Sequence, residues 1–345
     1  MKLLLRTLAP TLARPLVCTL SLLAGAAQAQ LWDTPKATAA QTILKGFTAR
    51  QTVLTRGDAT ITLDVAGNLV VGVLVEAGTA ADVARGLGVA WGLAETDLAA
   101  LQRNLGSPQL QAAARRGFVE TADEDGSGLI ALKLRGEGSA TRYAAYVALK
   151  IWPDSAFPAT RNVTGSAAAP DVVRIFSDFQ CPYCREMWDS AAQGWEARPE
   201  QFRVSHYQFP LDKHPNAFAA AEASECAGAQ GRFWPYADTL FREFDRWTPL
   251  RAADTALKFG GYAGSAGLKT AAFTSCLNAH TFKASVEAQV RAGLAVGVQG
   301  TPTVFLNGVK MGNYASPAEV ARIRAVTRAT PSAASVIDAR LGLFR

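Results

Sequence analysis

Cys181-Pro182-Tyr183-Cys184 is the segment of this chain whose residue types and spacing point most directly to chemistry. Two residues between the cysteines bring both sulfurs into the first turn of a helix. There, backbone N–H groups and the helix dipole favour a thiolate on the leading sulfur. The pair follows an apolar, strand-like run, Val172-Val173-Arg174-Ile175-Phe176-Ser177-Asp178-Phe179, and leads into a helix-forming segment. Far downstream, Gly300-Thr301-Pro302-Thr303 runs into the strand-like Val304-Phe305-Leu306. A dithiol at a helix start, with a distant Thr-Pro before a strand, is a residue set for thiol–disulfide exchange. Cys181, the more accessible sulfur, is expected to form the mixed disulfide, and Cys184, one turn deeper, to resolve it. A cis Thr301–Pro302 bond is expected. The bend would set Thr301 beside the dithiol with backbone groups able to pair with an extended substrate segment. Pro182 and Tyr183 join Thr301 and Pro302 as candidate substrate contacts.

The competing reading of Cys-x-x-Cys is a structural zinc site, which needs four ligands. Cys226 and Cys276 are far apart in the chain, and His206, His214 and His280 form no ligand pair. No metal and no cofactor are expected. Cys226 and Cys276 are either a second redox pair or a staple. Neither sits in a Cys-x-x-Cys, which speaks for the staple, and closing such a loop is worth about 4 kcal/mol in the chain-entropy model. Asp178 is either a buried proton acceptor for Cys184 or a solvated strand-end residue. His214, in Lys213-His214-Pro215-Asn216, reads as a cap or surface residue at a helix start. Asp123-Glu124-Asp125-Gly126 resembles a calcium loop only superficially. Leu134 stands where a bidentate Glu would fall, so a hairpin turn is expected.

The elements that must position these groups can be read along the chain. Lys2, Arg6 and Arg14, an apolar run from Leu16 to Ala27, and Ala27-Gln28-Ala29 read as a cleaved secretory signal, residues 1–29. Cys18 leaves with it, and four cysteines in an exported chain suit two disulfides. The chain of 345 residues then has room for two domains at about 150 residues each. Its formal charge of +6 falls once the basic signal is removed, and no basic aromatic stripe supports nucleic-acid binding. Block 31–158 reads as a small α+β domain. It has a hairpin through Ile61, Leu63, Val65 and Leu69 to Val75, helices marked by Val83, Leu87 and Trp91 and by Leu98, Leu101 and Leu105, and strands near 129–135 and 142–151. Residues 159–170, small and bounded by prolines, read as a linker.

From 171 to 330 the order is strand, Cys-x-x-Cys, helix, then a strand Phe202 to Phe209. Helical stretches Ala217 to Phe244 and Thr281 to Val296 follow. The Thr-Pro strand comes next, then a hairpin at Asn307-Gly308. Ser316-Pro317-Ala318-Glu319 opens a last helix as a capping box, with Val320 and Ile323 on its buried face. That order, β-α-β, helical insertion, β-β-α, is a thioredoxin fold with an inserted all-helical subdomain. Residues 331–345 read as a C-terminal tail. The fold class is α/β.

Phe176-Ser177-Asp178-Phe179-Gln180-Cys181-Pro182-Tyr183-Cys184 resembles the active-site signature of the DsbA-like branch of the thioredoxin superfamily. Its downstream landmarks are matched by His214-Pro215-Asn216-Ala217, Cys226-Ala227 before Gly231-Arg232-Phe233-Trp234, Phe273-Thr274-Ser275-Cys276-Leu277 and Gly297-Val298-Gln299-Gly300-Thr301-Pro302-Thr303. The resemblance implies an exported thiol:disulfide oxidoreductase with Cys181 as nucleophile, Cys184 as resolving thiol, Pro302 cis, and Cys226–Cys276 as a structural disulfide. It also implies a membrane, quinone-linked partner that recharges the enzyme, with reduced or misoxidised exported proteins as substrates. The best-studied oxidases have His where this chain has Tyr183 and Val where it has Thr301. Thr is common at the latter position in isomerases and reductases. The expected activity is introduction of disulfides in the periplasm or another extracytoplasmic space. The alternatives are an isomerase or reductase kept reduced by a membrane electron donor, which a homodimer through block 31–158 would favour, and a metal-binding or folding module that uses the dithiol as ligands.

Overall fold

The computed structural model describes residues 31–120 and 126–345. The expected signal segment and the residues 123–125 of the acidic turn lie outside the described residues. The chain forms two compact units, one holding the chain up to Lys150 together with Arg324–Arg345, the other Ile151–Ile323.

The first unit is built on a seven-stranded antiparallel sheet. Its strands are β1 (Thr48–Arg50), β2 (Val53–Arg56), β3 (Ala59–Ala66), β4 (Leu69–Ala77), β5 (Phe118–Glu120), β6 (Gly128–Arg135) and β7 (Arg142–Leu149), in the order β1-β2-β3-β4-β7-β6-β5. The expected hairpin 61–75 is β3 and β4. Between β4 and β5 lie α1 (Ala80–Ala90) and α2 (Leu98–Leu105), as the helical spacing predicts, and a further helix, α3 (Pro108–Arg115). The apolar run Leu69 to Val75 has a physical reason. Alternate residues of a strand face opposite sides of its sheet, and β4 is buried on both. On one side Gly86 of α1 lies against Val75, leaving no room for a Cβ. On the other, Leu74 is paired across the ladder with Tyr146, whose ring stacks on Phe344 at 6.3 Å.

That second cover corrects the reading of 331–345 as a tail. Ala333, Ile337 and Leu341 form a buried stripe on a helix, Ala333–Leu341, which packs on β3 and β4. Arg340 donates twice to the Asp64 carboxylate, at 2.6 and 3.0 Å. The segment is part of the first unit because the sheet's second apolar face needs a partner.

The second unit carries a five-stranded sheet of β8 (Val163–Thr164), β9 (Asp171–Ser177), β10 (Phe202–Gln208), β11 (Thr303–Leu306) and β12 (Val309–Lys310), ordered β12-β11-β9-β10-β8. The segment 159–170 is therefore not a linker. It supplies edge strand β8, antiparallel to β10, and the buried Asn162. Gly165, at φ +85°, passes so close to the Phe202 carbonyl that a Cβ would collide with it. Strands β9 and β10 are parallel, joined by α4 (Pro182–Met187), one π turn over Trp188–Ala192 and a last helical turn, Gln193–Glu196. The helical insert is α5 (Ala217–Gly228), α6 (Phe233–Arg242), α7 (Ala252–Ser265), α8 (Thr270–Asn278) and α9 (Lys283–Ala295). The expected single stretch 217–244 is broken at Gly231, φ +72°, and continues as α6. The hairpin at Asn307-Gly308 has positive φ at both residues, the conformation a two-residue turn of this kind requires. This is the thioredoxin fold with a helical insert. Its core against the sheet contains Phe157, Phe176, Tyr207, Phe209, Val296, Val298 and Phe305.

Cys226 and Cys276 are joined, linking α5 to α8 across 50 residues of chain. Glu222 and His280, four residues before and after them, meet at 2.8 Å, a second tie between α5 and the residues just past α8. Cys226→Ser with Cys276→Ser should cost about 4 kcal/mol by the loop-entropy argument, measured as a lowered urea midpoint.

His206 is fully buried with both ring nitrogens unpartnered, stacked on Phe179 at 5.4 Å and edge-on to Trp188. Burial pushes its pKa down to about 3. The unfolded chain, with His near 6.5, takes up the proton first. Stability is therefore full above pH 6.5 and is lost as pH falls toward 3, by an amount on the order of 4 kcal/mol. His206→Phe should flatten that part of the acid-unfolding curve, read as Tm at pH 4.5 against pH 7.5.

Candidate active site

Cys181 is the N-cap of α4 and Pro182 its first residue, a position where the missing proline N–H is no loss. Asp178 O accepts the Cys181 N–H at 3.1 Å. Cys181 O in turn accepts from Cys184 at 3.1 Å and Arg185 at 3.2 Å, so both cysteines sit in one tight turn. Both are thiols in this structure. Their difference in access is small: Cys181 is 3% exposed and Cys184 0%, while Tyr183 between them is 67% exposed.

The Thr301–Pro302 bond is cis, and Cys181 Sγ lies 3.4 Å from Thr301 O. The sheet brings them together. Phe176 of β9 is paired with Thr303 of β11, so the exit of β9 toward the cysteines and the entry of β11 from Pro302 share one edge. Of the sequence-predicted site residues, Cys181, Cys184 and Thr301 are thus in contact. The Cys226–Cys276 bond belongs to the insert.

A hydrogen bond from the Cys184 thiol brings the Cys181 pKa down to about 6, helped by the Cys184 N–H, Thr301 and the Tyr183 N–H and opposed by burial. Burial pushes the Cys184 thiol well above its ordinary range, and its hydrogen bond to Cys181 and the charge there push it the same way. The Asp178 N–H and the Ser177 side chain oppose the rise. One sulfur is held as a thiolate and the other as the thiol that donates to it.

Asp178 is not a solvated strand end. It is 1% exposed, and its carboxylate accepts from Gln180 N at 2.7 Å, Leu211 N at 2.9 Å and His214 Nδ1 at 2.7 Å. Its N–H points at Cys184 Sγ from 3.4 Å. His214, read from sequence as a cap or surface residue, is instead this carboxylate's partner. Gln180 adds a second tie, accepting from Asn216 N at 2.7 Å and donating to Thr248 O at 2.9 Å.

Sequence reasoning missed Ser177 and Tyr314. Burial raises the Tyr314 phenol, and the charges of Glu186, Cys184 and Cys181 raise it further, which places it within reach of the dithiol's field. Its loop is braced by Glu319, whose carboxylate accepts from Gly312 N and Asn313 N at 2.7 and 2.8 Å. The expected capping box is therefore only half formed. Ser316 Oγ accepts from Glu319 N at 3.3 Å, while the glutamate serves the loop.

Residues 159–323 match the family model described as thioredoxin. That match covers just under half of the chain. The chain is 30% identical over 158 residues to a Na(+)/H(+) antiporter NhaA 1 of Mycolicibacterium vanbaalenii, covering 44% of this chain and 24% of that protein. It is 34% identical over 152 residues to one of Salinispora arenicola, covering 44% and 22%. The chain thus spans about a quarter of the length of the curated relatives it matches. Among solved structures it is similar to BdbD from Bacillus subtilis, at 21% identity and TM-score 0.40 over 50% of this chain and 92% of that one. It is similar also to alpha-DsbA1 of Wolbachia pipientis, at 19% identity and TM-score 0.42 over 52% and 95%.

Cys181 alkylation by iodoacetamide should rise with pH about a midpoint near 6. In Cys184→Ala, which removes the largest cause of the lowered value, the midpoint should move up by a unit or more, to about 7 or above.

Proposed function

We propose that this protein is an exported thiol:disulfide oxidoreductase that introduces disulfides into secreted or periplasmic proteins. The observation that carries the reading is the placement of Cys181, N-cap of α4 with its Sγ 3.4 Å from Thr301 O, where its pKa is lowered to about 6. A depressed pKa stabilises the reduced dithiol and makes the protein's own disulfide the stronger oxidant.

With Cys181 and Cys184 oxidised, a substrate thiolate attacks Cys181 Sγ. The Cys181–Cys184 bond breaks, and its electron pair leaves on Cys184, which takes up a proton. A second substrate thiolate then attacks the substrate's sulfur in the mixed disulfide, forming the substrate disulfide and releasing Cys181 as a thiolate. Two electrons pass to the protein, and a membrane, quinone-linked partner removes them. The Thr301 backbone pairs with an extended substrate segment, and the exposed Tyr183 with Pro182 offers it an apolar surface.

A reductase would use the same two sulfurs in the opposite direction, and an isomerase would start from the reduced pair with no net transfer of electrons. Antiport is not carried over, because the likeness covers about a quarter of those proteins. Among the described residues, no helix is long and apolar enough to cross a membrane.

Cys181→Ser should abolish oxidation of a reduced test protein, while Cys184→Ala mixed with a disulfide-bonded test protein should accumulate a mixed disulfide that dithiothreitol releases on a gel. Equilibration against glutathione should give a potential near about −120 mV. A value near about −270 mV would replace the oxidase with a reductase.

A further inference from the structure

Both sulfurs are buried, and Cys184 has no exposed surface. Its Sγ faces Asp178 N at 3.4 Å. Ser177 is fully buried, and its hydroxyl has no hydrogen-bond partner. Cys184 Sγ is the atom that must accept negative charge when a substrate thiolate breaks the Cys181–Cys184 bond. The groups that meet it are set by a turn, and the turn is held by a carboxylate.

Asp178 Oδ1 accepts from Gln180 N, closing an Asx-type turn over the start of the motif. Oδ2 accepts from Leu211 N and lies 2.7 Å from His214 Nδ1. Because Oδ2 is already an acceptor, Nδ1 carries the proton and donates it. Leu211 and His214 follow β10, in the segment leading to α5, so the carboxylate fastens the exit of β9 to that segment. A buried carboxylate held by three donors is fixed, whereas one with a donor removed carries an uncompensated lone pair and shifts.

We propose that the Asp178–His214 pair is a positioning device for the leaving thiolate of Cys184. By pinning the turn, it aims the Asp178 N–H at Cys184 Sγ. The contribution comes in the transition state of S–S cleavage, where the charge develops. The inference rests on the exchange reading above but concerns the step that expels Cys184 rather than the direction of net electron flow. The electrons balance in the reaction with glutathione: its thiolate bonds to Cys181 Sγ, the Cys181–Cys184 bond gives its electron pair to Cys184, and solvent supplies the proton.

The test uses the oxidised full-length protein and measures the second-order rate of its first reaction with glutathione by rapid acid quenching. His214→Ala should lower that rate five- to tenfold while leaving the equilibrium with glutathione within twofold. His214→Asn, which places an N–H donor where Nδ1 sits, should restore the rate to within twofold of wild type. If the alanine variant does not fold, Asp178→Asn, which puts an amide N–H against the Leu211 and His214 donors, should show the same drop. A wild-type rate in whichever of His214→Ala and Asp178→Asn folds would overturn the proposal. So would an asparagine variant as slow as alanine. If the wild-type protein is inert to glutathione, or Cys181→Ser reacts as fast, the exchange reading itself falls and takes this inference with it.

Discussion

The pairing of β9 with β11 is the constraint on which the site depends. Register puts Phe176 opposite Thr303, so two segments more than a hundred residues apart in sequence arrive at one sheet edge, one leading to Cys181 and the other leaving Pro302. The parallel partner β10 on the other side of β9 holds it in the middle of the sheet. Phe176 anchors the arrangement from below, stacked on Tyr207 at 4.9 Å and edge-on to Phe305 and Phe209. A one-residue slip would turn Phe176 out of this cluster and move the sulfur away from Thr301.

Given that placement, the chemistry follows from asymmetry between neighbours. The two thiols are three residues apart, yet their mutual hydrogen bond drives their acidities in opposite directions, while burial raises both. A buried polar group costs stability unless its partners are present. Around this dithiol they are: the Asp178 carboxylate takes three donors, and the Gln180 side chain spans Asn216 and Thr248. These bonds tie the short motif to the start and the interior of the helical insert. The insert, in turn, is closed on itself by Cys226–Cys276 and Glu222–His280.

Much of the second unit was legible in the sequence, because its signals are local. A Cys-x-x-Cys between a strand run and a helix, Thr-Pro before a strand, and Asn-Gly between two short strands each depend on a few adjacent residues. In the first unit β3, β4, β6, β7, α1 and α2 were legible for the same reason, through alternation and helical spacing, whereas the short β1, β2 and β5 and the helix α3 were not. The misreadings share a cause. Residues 159–170 look like a linker because a two-residue edge strand has no periodicity to detect. Residues 331–345 look like a tail because their stripe, Ala333, Ile337 and Leu341, is weak until the apolar face of β3 and β4 is known to lack a cover.

Sequence alone determined the reactive pair, its place at a helix start, the proline that faces it and the order of elements around them. These are properties of short segments, and short segments write them in residue type and spacing. Only the tertiary structure decided that His214 serves Asp178, that the Asp178 N–H is turned toward Cys184, and that the chain's last helix closes the first sheet. Each of those is a contact between distant segments, created by register and burial rather than by any residue's neighbours in the chain.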